Sequence, residues 1–331
     1  MGFGKDMPKI ILELFQIHLF LIIFLFHPFI VGGLLIYLAF TPYWWASLLY
    51  IVWTWYQWGA EVHYVKPWEW MRNHRFWDHV SGYFPLTIVK TAELPPGHNY
   101  ILAWHPHGIV SIAAVVAMCS DGARFTEKFP GITRHLSTLT SQFNVPLRRP
   151  ILSAFGVIPA SFGFINRLFA SSPRGNAVCL VVGGAEEALE SHSNVYRLCL
   201  KERKGFCRMA LISGAHIVPV YAFGETGGYN QAWNPVGSSL RAFQAKMKKL
   251  IGFSLVIPYG REIFPGIPSI TPFQGEIVAV FGQPIPITKT DNPTQEQVNQ
   301  LHSLYKSKLI ELFETHKTKY GVPSNAQLEF Y

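Results

Sequence analysis

The chain has 331 residues, of which 49% are hydrophobic, 15% aromatic and only 15% charged, well below the roughly 25% charge of an ordinary soluble domain. That composition excludes a surface facing water alone and makes lipid part of the expected surroundings. The net charge of +8 favours phosphate-bearing partners, but it is scattered along the chain, so no nucleic-acid partner is expected.

From Ile10 to Trp58 the chain is almost continuously apolar or aromatic. Glu13, Gln16 and His18 weaken the first turns, so a membrane helix is expected from about Leu19 to Phe40. Thr41-Pro42 breaks it. Tyr43 to Trp58 then forms a second, shorter apolar segment, rich in the Trp and Tyr that suit a membrane interface. Residues 1–60 read as a membrane anchor hairpin (about 19–40 and 43–58) and residues 61–331 as one cytosol-facing α/β domain. Lys5 and Lys9 before the hairpin, with Lys66, Arg72 and Arg75 after it, place both termini in the cytosol. The four cysteines form no Cys-x-x-Cys pair and follow no secretory signal, so reduced thiols are expected.

Beyond the hairpin, apolar runs alternate with helical stretches. Tyr100–Trp104, Ala177–Val182, Ile217–Phe223 and Ile277–Phe281 lack polar alternation, as strands covered on both faces do. Phe206 to Ser213 predicts a helix stopped by Gly214. Ser238 to Leu250 predicts another, with Leu240, Phe243, Met247 and Leu250 on one face. Asn292-Pro293 reads as an N-cap and first-turn proline opening a helix to about His316.

His105-Pro106-His107-Gly108 ends the first of these strands, on the rim where α/β sheets gather their functional groups. A histidine there can take the proton of an alcohol as its oxygen attacks a thioester carbonyl. Gly108 lets a backbone N–H approach the developing oxyanion. Gly183-Gly184-Ala185-Glu186-Glu187 ends the second strand and brings two carboxylates into the same layer, where either could orient His105 or His107. Arg203-Lys204-Gly205-Phe206 opens a helix with clustered positive charge, suited to phosphate; Arg149 is a weaker candidate. There is no Gly-x-Ser-x-Gly elbow, P-loop, Gly-x-Gly-x-x-Gly or His-Glu-x-x-His. Direct transfer from thioester to alcohol needs none of them.

These stretches resemble the type-2 diacylglycerol acyltransferase family, which includes monoacylglycerol and wax alcohol acyltransferases. The likeness rests on Tyr83-Phe84-Pro85, His105-Pro106-His107-Gly108, Gly175-Asn176 through Glu187, Arg203-Lys204-Gly205-Phe206, Val218-Pro219-Val220 and Phe223-Gly224-Glu225. It implies a glycerolipid-acyltransferase-like mixed sheet flanked by helices behind the membrane hairpin. It also implies an endoplasmic-reticulum and lipid-droplet location, acyl-CoA as co-substrate, no cofactor and no metal. The resemblance points to His107 as base with His105 beside it, and to Glu187 as the family's glutamate. Gly108 and Asn176 stand as oxyanion or positioning residues, and Arg203, Lys204 and Arg149 as phosphate ligands. Two departures matter: Arg149-Pro150 stands where the family has Arg-Glu, and neither histidine is followed four residues on by Asp.

The acceptor this implies is an acylglycerol from the bilayer, diacylglycerol before monoacylglycerol, with a fatty alcohol third. Two other classes compete: a membrane metallohydrolase using His105, His107 and Glu186 or Glu187, and a non-catalytic lipid-binding protein. A homo-oligomer is compatible with any of them.

Overall fold

The uninterrupted apolar runs become the central strands of a sheet. The computed structural model describes residues 7–57, 63–145, 147–171, 174–251, 254–263, 266–267 and 269–331. Its strands are β1 (Leu86–Lys90), β2 (Tyr100–His105), β3 (Thr133–Thr138), β4 (Val157–Pro159), β5 (Asn176–Val181), β6 (Arg197–Leu198), β7 (His216–Phe223), β8 (Asn230–Gln231), β9 (Pro258–Tyr259), β10 (Ile277–Phe281) and β11 (Glu329–Phe330). Seven of them form one sheet in the order β1-β10-β7-β2-β5-β3-β4. From β7 to β4 the strands are parallel; β10 pairs antiparallel to β7 and carries β1 parallel to itself. The sheet is therefore mixed, as expected. The remaining four strands pair as two short ribbons, β6 with β11 and β8 with β9.

Every residue of β2 and β10 is buried, because helices cover both faces of the sheet. One core gathers residues of the helices Phe76–Tyr83 and Ile112–Cys119. The other gathers residues of Phe162–Ser171, Gly205–Ser213 and Gln295–His316. Non-alternating apolar strands suit such a three-layer arrangement. β1, β3 and β4 were not anticipated. β3 hides Arg134 and His135 inside the protein, so it shows no apolar run.

Two helix boundaries need correcting. The long C-terminal helix is capped by Thr294 rather than Asn292: the Thr294 hydroxyl accepts the Gln297 N–H at 3.2 Å, and the Gln297 side chain accepts the Thr294 N–H at 2.8 Å. This reciprocal capping box outweighs the Asn-Pro signal.

The apolar N-terminus is helical from Met7 to Ala39, with a π segment at Ile22–Phe26, so the helix begins before the expected Leu19. The polar residues that weaken its first turns in the sequence dock it on the domain instead. Gln274 donates to Glu13 at 3.0 Å, and His18 meets Thr271 at 3.2 Å. Ile17, Phe20 and Leu21 are buried, with Phe20 edge-on to Trp77. Ile11–Ala39 is long and apolar enough to cross a membrane. The second helix, Trp44–Gln57, has 14 residues, short of the about 20 that a span needs. It folds back on the first, its Ser47 hydroxyl donating to the Leu35 carbonyl at 2.8 Å. Trp58, the domain boundary near residue 60 and Lys5 lie outside the described residues.

Candidate active site

Three neighbouring parallel strands, β7, β2 and β5, end on one rim of the sheet. Each end carries a motif residue: Glu225 follows β7, His105 to Gly108 close β2, and Glu187 follows β5. Parallel strands that end together make a crevice lined by the loops that follow them.

Glu187 is the hinge of the arrangement. Its helix, Gly184–Glu190, begins within three residues of β5. A side chain at Gly183 would place Cβ 2.1 Å from the Glu187 carboxyl carbon, so glycine there leaves room for the carboxylate to fold back. That carboxylate is 3% exposed. One oxygen accepts the His107 backbone N–H at 2.7 Å and the other the Cys199 backbone N–H at 2.9 Å. Glu187 thus fixes the main chain of the histidine loop rather than the His107 ring, which corrects the expected contact. The His105 Nδ1 lies 3.9 Å from its carboxylate, beyond hydrogen-bond reach. Glu186 points outward and pairs with Lys248, which separates the two glutamates.

The two histidines differ in what their rings can do. His105 is wholly buried, its Nε2 2.9 Å from the Tyr305 hydroxyl, which donates to the Ala103 carbonyl at 3.2 Å. Tyr305 thus bridges His105 Nε2 and the Ala103 carbonyl and holds the buried ring in place. His107 is only half-buried, and its Nδ1 lies 3.1 Å from the Gly108 carbonyl. A carbonyl only accepts, so Nδ1 carries the proton and Nε2 keeps its lone pair. Burial lowers the His107 pKa, against the Gly108 carbonyl and the Glu187 charge, which raise it. The ring is neutral at pH 7 and can receive a proton.

Gly108 is held from the other side. It has φ +60°, and a Cβ there would lie 2.9 Å from Cγ of Glu225, so glycine fits on both counts. Glu225 is buried and accepts the N–H groups of Ile112 and Ala113 at 2.7 and 2.9 Å. It caps the helix that follows the histidine loop. Burial pushes its pKa up to about 7, although both backbone N–H groups pull it down. Neither Glu225 nor Tyr305 stood out as a site residue. Glu225 had a signal, since Gly224-Glu225 ends an apolar strand just as Gly183-Gly184 with its glutamates does. Tyr305 had none, being one aromatic in a long helix.

The expected phosphate ligands divide. Arg203 and Lys204 open the helix Gly205–Ser213, which leads to the start of β7, so they lie at the same rim as His105. Arg203 sits beside the thiol of Cys199, the residue whose backbone N–H donates to Glu187. Arg149 follows β3, two strands from β2, and its Nε donates to the Phe143 carbonyl at 3.2 Å. It lines a small cavity with Tyr50 and Trp53 of the second apolar helix. Asn176 is misplaced for an oxyanion role. It opens β5, the end remote from Glu187, so roughly 17 Å of strand separates it from the rim. Its amide oxygen lies 3.1 Å from His135 Nε2, and its backbone N–H donates to Asn99 at 3.1 Å. Among the described residues, no three His, Cys, Asp or Glu side chains converge as metal ligands.

Comparison with known proteins places the chain in a family. The diacylglycerol acyltransferase family model matches residues 36–331. The chain is 38% identical to 2-acylglycerol O-acyltransferase 1 of Bos taurus, over 94% of this chain and 92% of that one. It is 40% identical to acyl-CoA wax alcohol acyltransferase 1 of Homo sapiens, over 91% and 92%. With diacylglycerol O-acyltransferase 2 of Homo sapiens it shares 39% identity over 79% and 68%. Among solved structures, a 1-acyl-sn-glycerophosphate acyltransferase from Thermotoga maritima gives a loose likeness, with TM-score 0.43 and 10% identity over 93% of this chain and 98% of that one.

Proposed function

The chain belongs to the diacylglycerol acyltransferase family of O-acyltransferases, and from that premise we propose that it moves a fatty acyl group from acyl-CoA to an acylglycerol hydroxyl. The observation that carries the mechanism is the His107 ring, neutral, with Nδ1 on the Gly108 carbonyl and Nε2 left as the acceptor. The acceptor hydroxyl gives its proton to Nε2 as its oxygen attacks the thioester carbonyl. Backbone N–H groups near Gly108 receive the oxyanion. The C–S bond then breaks, and the coenzyme A thiolate takes up the proton from His107. Glu187 and Glu225 hold the loop rigid, and His105 with Tyr305 forms the buried floor. Arg203 and Lys204 meet the phosphates of acyl-CoA. The reaction runs without metal or organic cofactor.

The apolar N-terminal helices anchor this domain in the endoplasmic-reticulum membrane with both ends in the cytosol, and extend its range to lipid droplets. The acceptor arrives laterally from the bilayer. Diacylglycerol is the first candidate. Monoacylglycerol is the second reading, favoured by one observation: the chain spans 92% of the bovine 2-acylglycerol enzyme but 68% of the human diacylglycerol enzyme.

The test is acyl transfer from labelled oleoyl-CoA by microsomes bearing the chain, offered diacylglycerol, monoacylglycerol and a long-chain alcohol in parallel. A labelled ester that is absent with His107→Ala supports the reading and identifies the acceptor. No ester from any acceptor, with intact protein in the membrane, favours a non-catalytic lipid-binding protein. Loss of activity on exhaustive chelation favours the metallohydrolase.

A further inference from the structure

The helix Ser239–Ile251 is inside out. A helix on a water-facing surface buries its apolar stripe and exposes its polar one. Here Gln244 is 1% exposed, while Phe243 next to it is 54% exposed. The inward contacts are polar. Gln244 bonds Asn234 and the Leu255 carbonyl, Arg241 pairs with Glu190, and Lys248 pairs with Glu186. Phe243 shares the outer face with Lys246 and Lys249, which are also exposed. Before this helix, Trp233 and Val236 are 77% and 85% exposed. The expected apolar face of Phe243 with Leu240 and Met247 therefore does not form a buried stripe.

This surface continues toward the membrane helix. The Ala232 N–H donates to the Ile257 carbonyl at 3.0 Å, which brings exposed Ile257 beside Trp233. β8 and β9 pair here, and the Gly260 N–H donates to the Ser269 carbonyl at 2.8 Å, which leads to exposed Ile270. The next residue, Thr271, meets His18 of the membrane-length helix at 3.2 Å. On its other side the same segment braces the helix that carries Glu187. Ser254 donates to the Ala185 carbonyl, and Gln231 donates to the Ser191 carbonyl at 2.7 Å.

We propose that Trp233, Val236, Phe243, Ile257 and Ile270 form a second membrane-docking surface, seated in the headgroup region of a bilayer with Lys246 and Lys249 on its anionic phosphates. The partner is lipid rather than protein for two reasons. The surface is continuous with a helix of membrane-spanning length. It also mixes Trp and Phe with lysine, the pairing that anchors interfacial segments. Docking there lowers the Glu187 rim onto the bilayer, where a long-chain acceptor can reach His107 without crossing water. The inference rests on the acyltransferase reading for that consequence, but not for the docking itself.

The test uses the full chain in vesicles, with Cys199→Ser because the other three thiols are buried. An environment-sensitive fluorophore is placed at Phe243→Cys, or at Ser307→Cys on the exposed side of the C-terminal helix. Lipids carrying a nitroxide just below the headgroup should quench the first probe at least about twofold more than the second, more so with roughly 30% phosphatidylserine. Equal, weak quenching at both sites overturns the proposal. A blue-shifted but unquenched probe at 243 also overturns it, since a second copy of the chain then covers the surface. In a parallel assay, Trp233→Ser with Phe243→Ser should lower transfer to a bilayer-borne acceptor about tenfold and spare a short-chain, water-soluble one. Equal loss on both acceptors, with quenching unchanged, would overturn the role of this surface in acceptor access. Failure of all transfer by the unsubstituted chain, with quenching intact, would sink the acyltransferase reading and leave the docking surface standing.

Discussion

The two rims of the sheet use the same residue types in opposite ways. At the rear rim, His135 is buried against Asn176, and burial lowers its pKa to about 4. Their contact ties the start of β5 to β3, and His135 Nδ1 is left buried without a hydrogen-bond partner among the described residues. At the front rim, Glu187 and Glu225 also spend their oxygens on the protein, but on backbone N–H groups around the histidine loop. Among the described residues, the His107 ring hydrogen-bonds the Gly108 carbonyl alone, through Nδ1. What separates the two imidazoles is access: the unpaired nitrogen of His135 is sealed inside the protein, whereas the His107 ring is half-buried and held by a rigid frame.

The sharpest way to break this comparison is to exchange the two roles. His107→Ala should lower turnover by about a hundredfold to ten-thousandfold, the range for removal of a general base, with membrane insertion unchanged. If the front rim is only structural, the variant loses stability and activity together. Glu187→Gln should come next, lowering turnover roughly tenfold to a hundredfold. Its amide keeps one acceptor for two N–H groups, and each abandoned N–H costs roughly 1–3 kcal/mol. Steady-state rates alongside thermal unfolding separate its kinetic effect from its stability effect.

The rear rim should respond in the opposite sense. Asn176→Ala should reduce stability by roughly 1–3 kcal/mol and leave kcat and KM within about twofold. A large fall in kcat without destabilisation would return Asn176 to the chemistry.

The pH dependences are smaller and sharpen the same contrast. His107 must be neutral to act, and burial lowers its pKa, so the acid limb of kcat/KM should fall below the ordinary histidine value of about 6.5. Glu225 is raised from 4.5 to about 7. Its contribution to stability is complete below pH 4.5 and is lost as pH rises through about 7. Glu225→Gln should flatten that slope in thermal unfolding measured between these values.

The sequence made the front rim legible because strand, turn and functional group are contiguous there. The apolar run of β2 ends at His105, and that of β5 ends three residues before the Glu187 helix. Pattern reading places such groups on one rim without coordinates. Asn176 misled because it adjoins the same strand at its other end; a strand has two ends, and a motif block spans both. β3 stayed hidden because its interior polar residues imitate a loop. Glu13 and His18 misled in reverse, weakening the apolar run while docking the helix. Most telling is Ser239–Ile251, where periodicity found the helix but not which face is covered, because its inward contacts are polar and Phe243 faces outward.

The most direct test is labelled acyl transfer by purified full-length protein in vesicles, comparing wild type, His107→Ala and Asn176→Ala at matched insertion. The two-rim account predicts near-complete loss for His107→Ala and near wild-type kcat for the Asn176→Ala protein that stays folded. Wild-type turnover by a folded His107→Ala protein would contradict it.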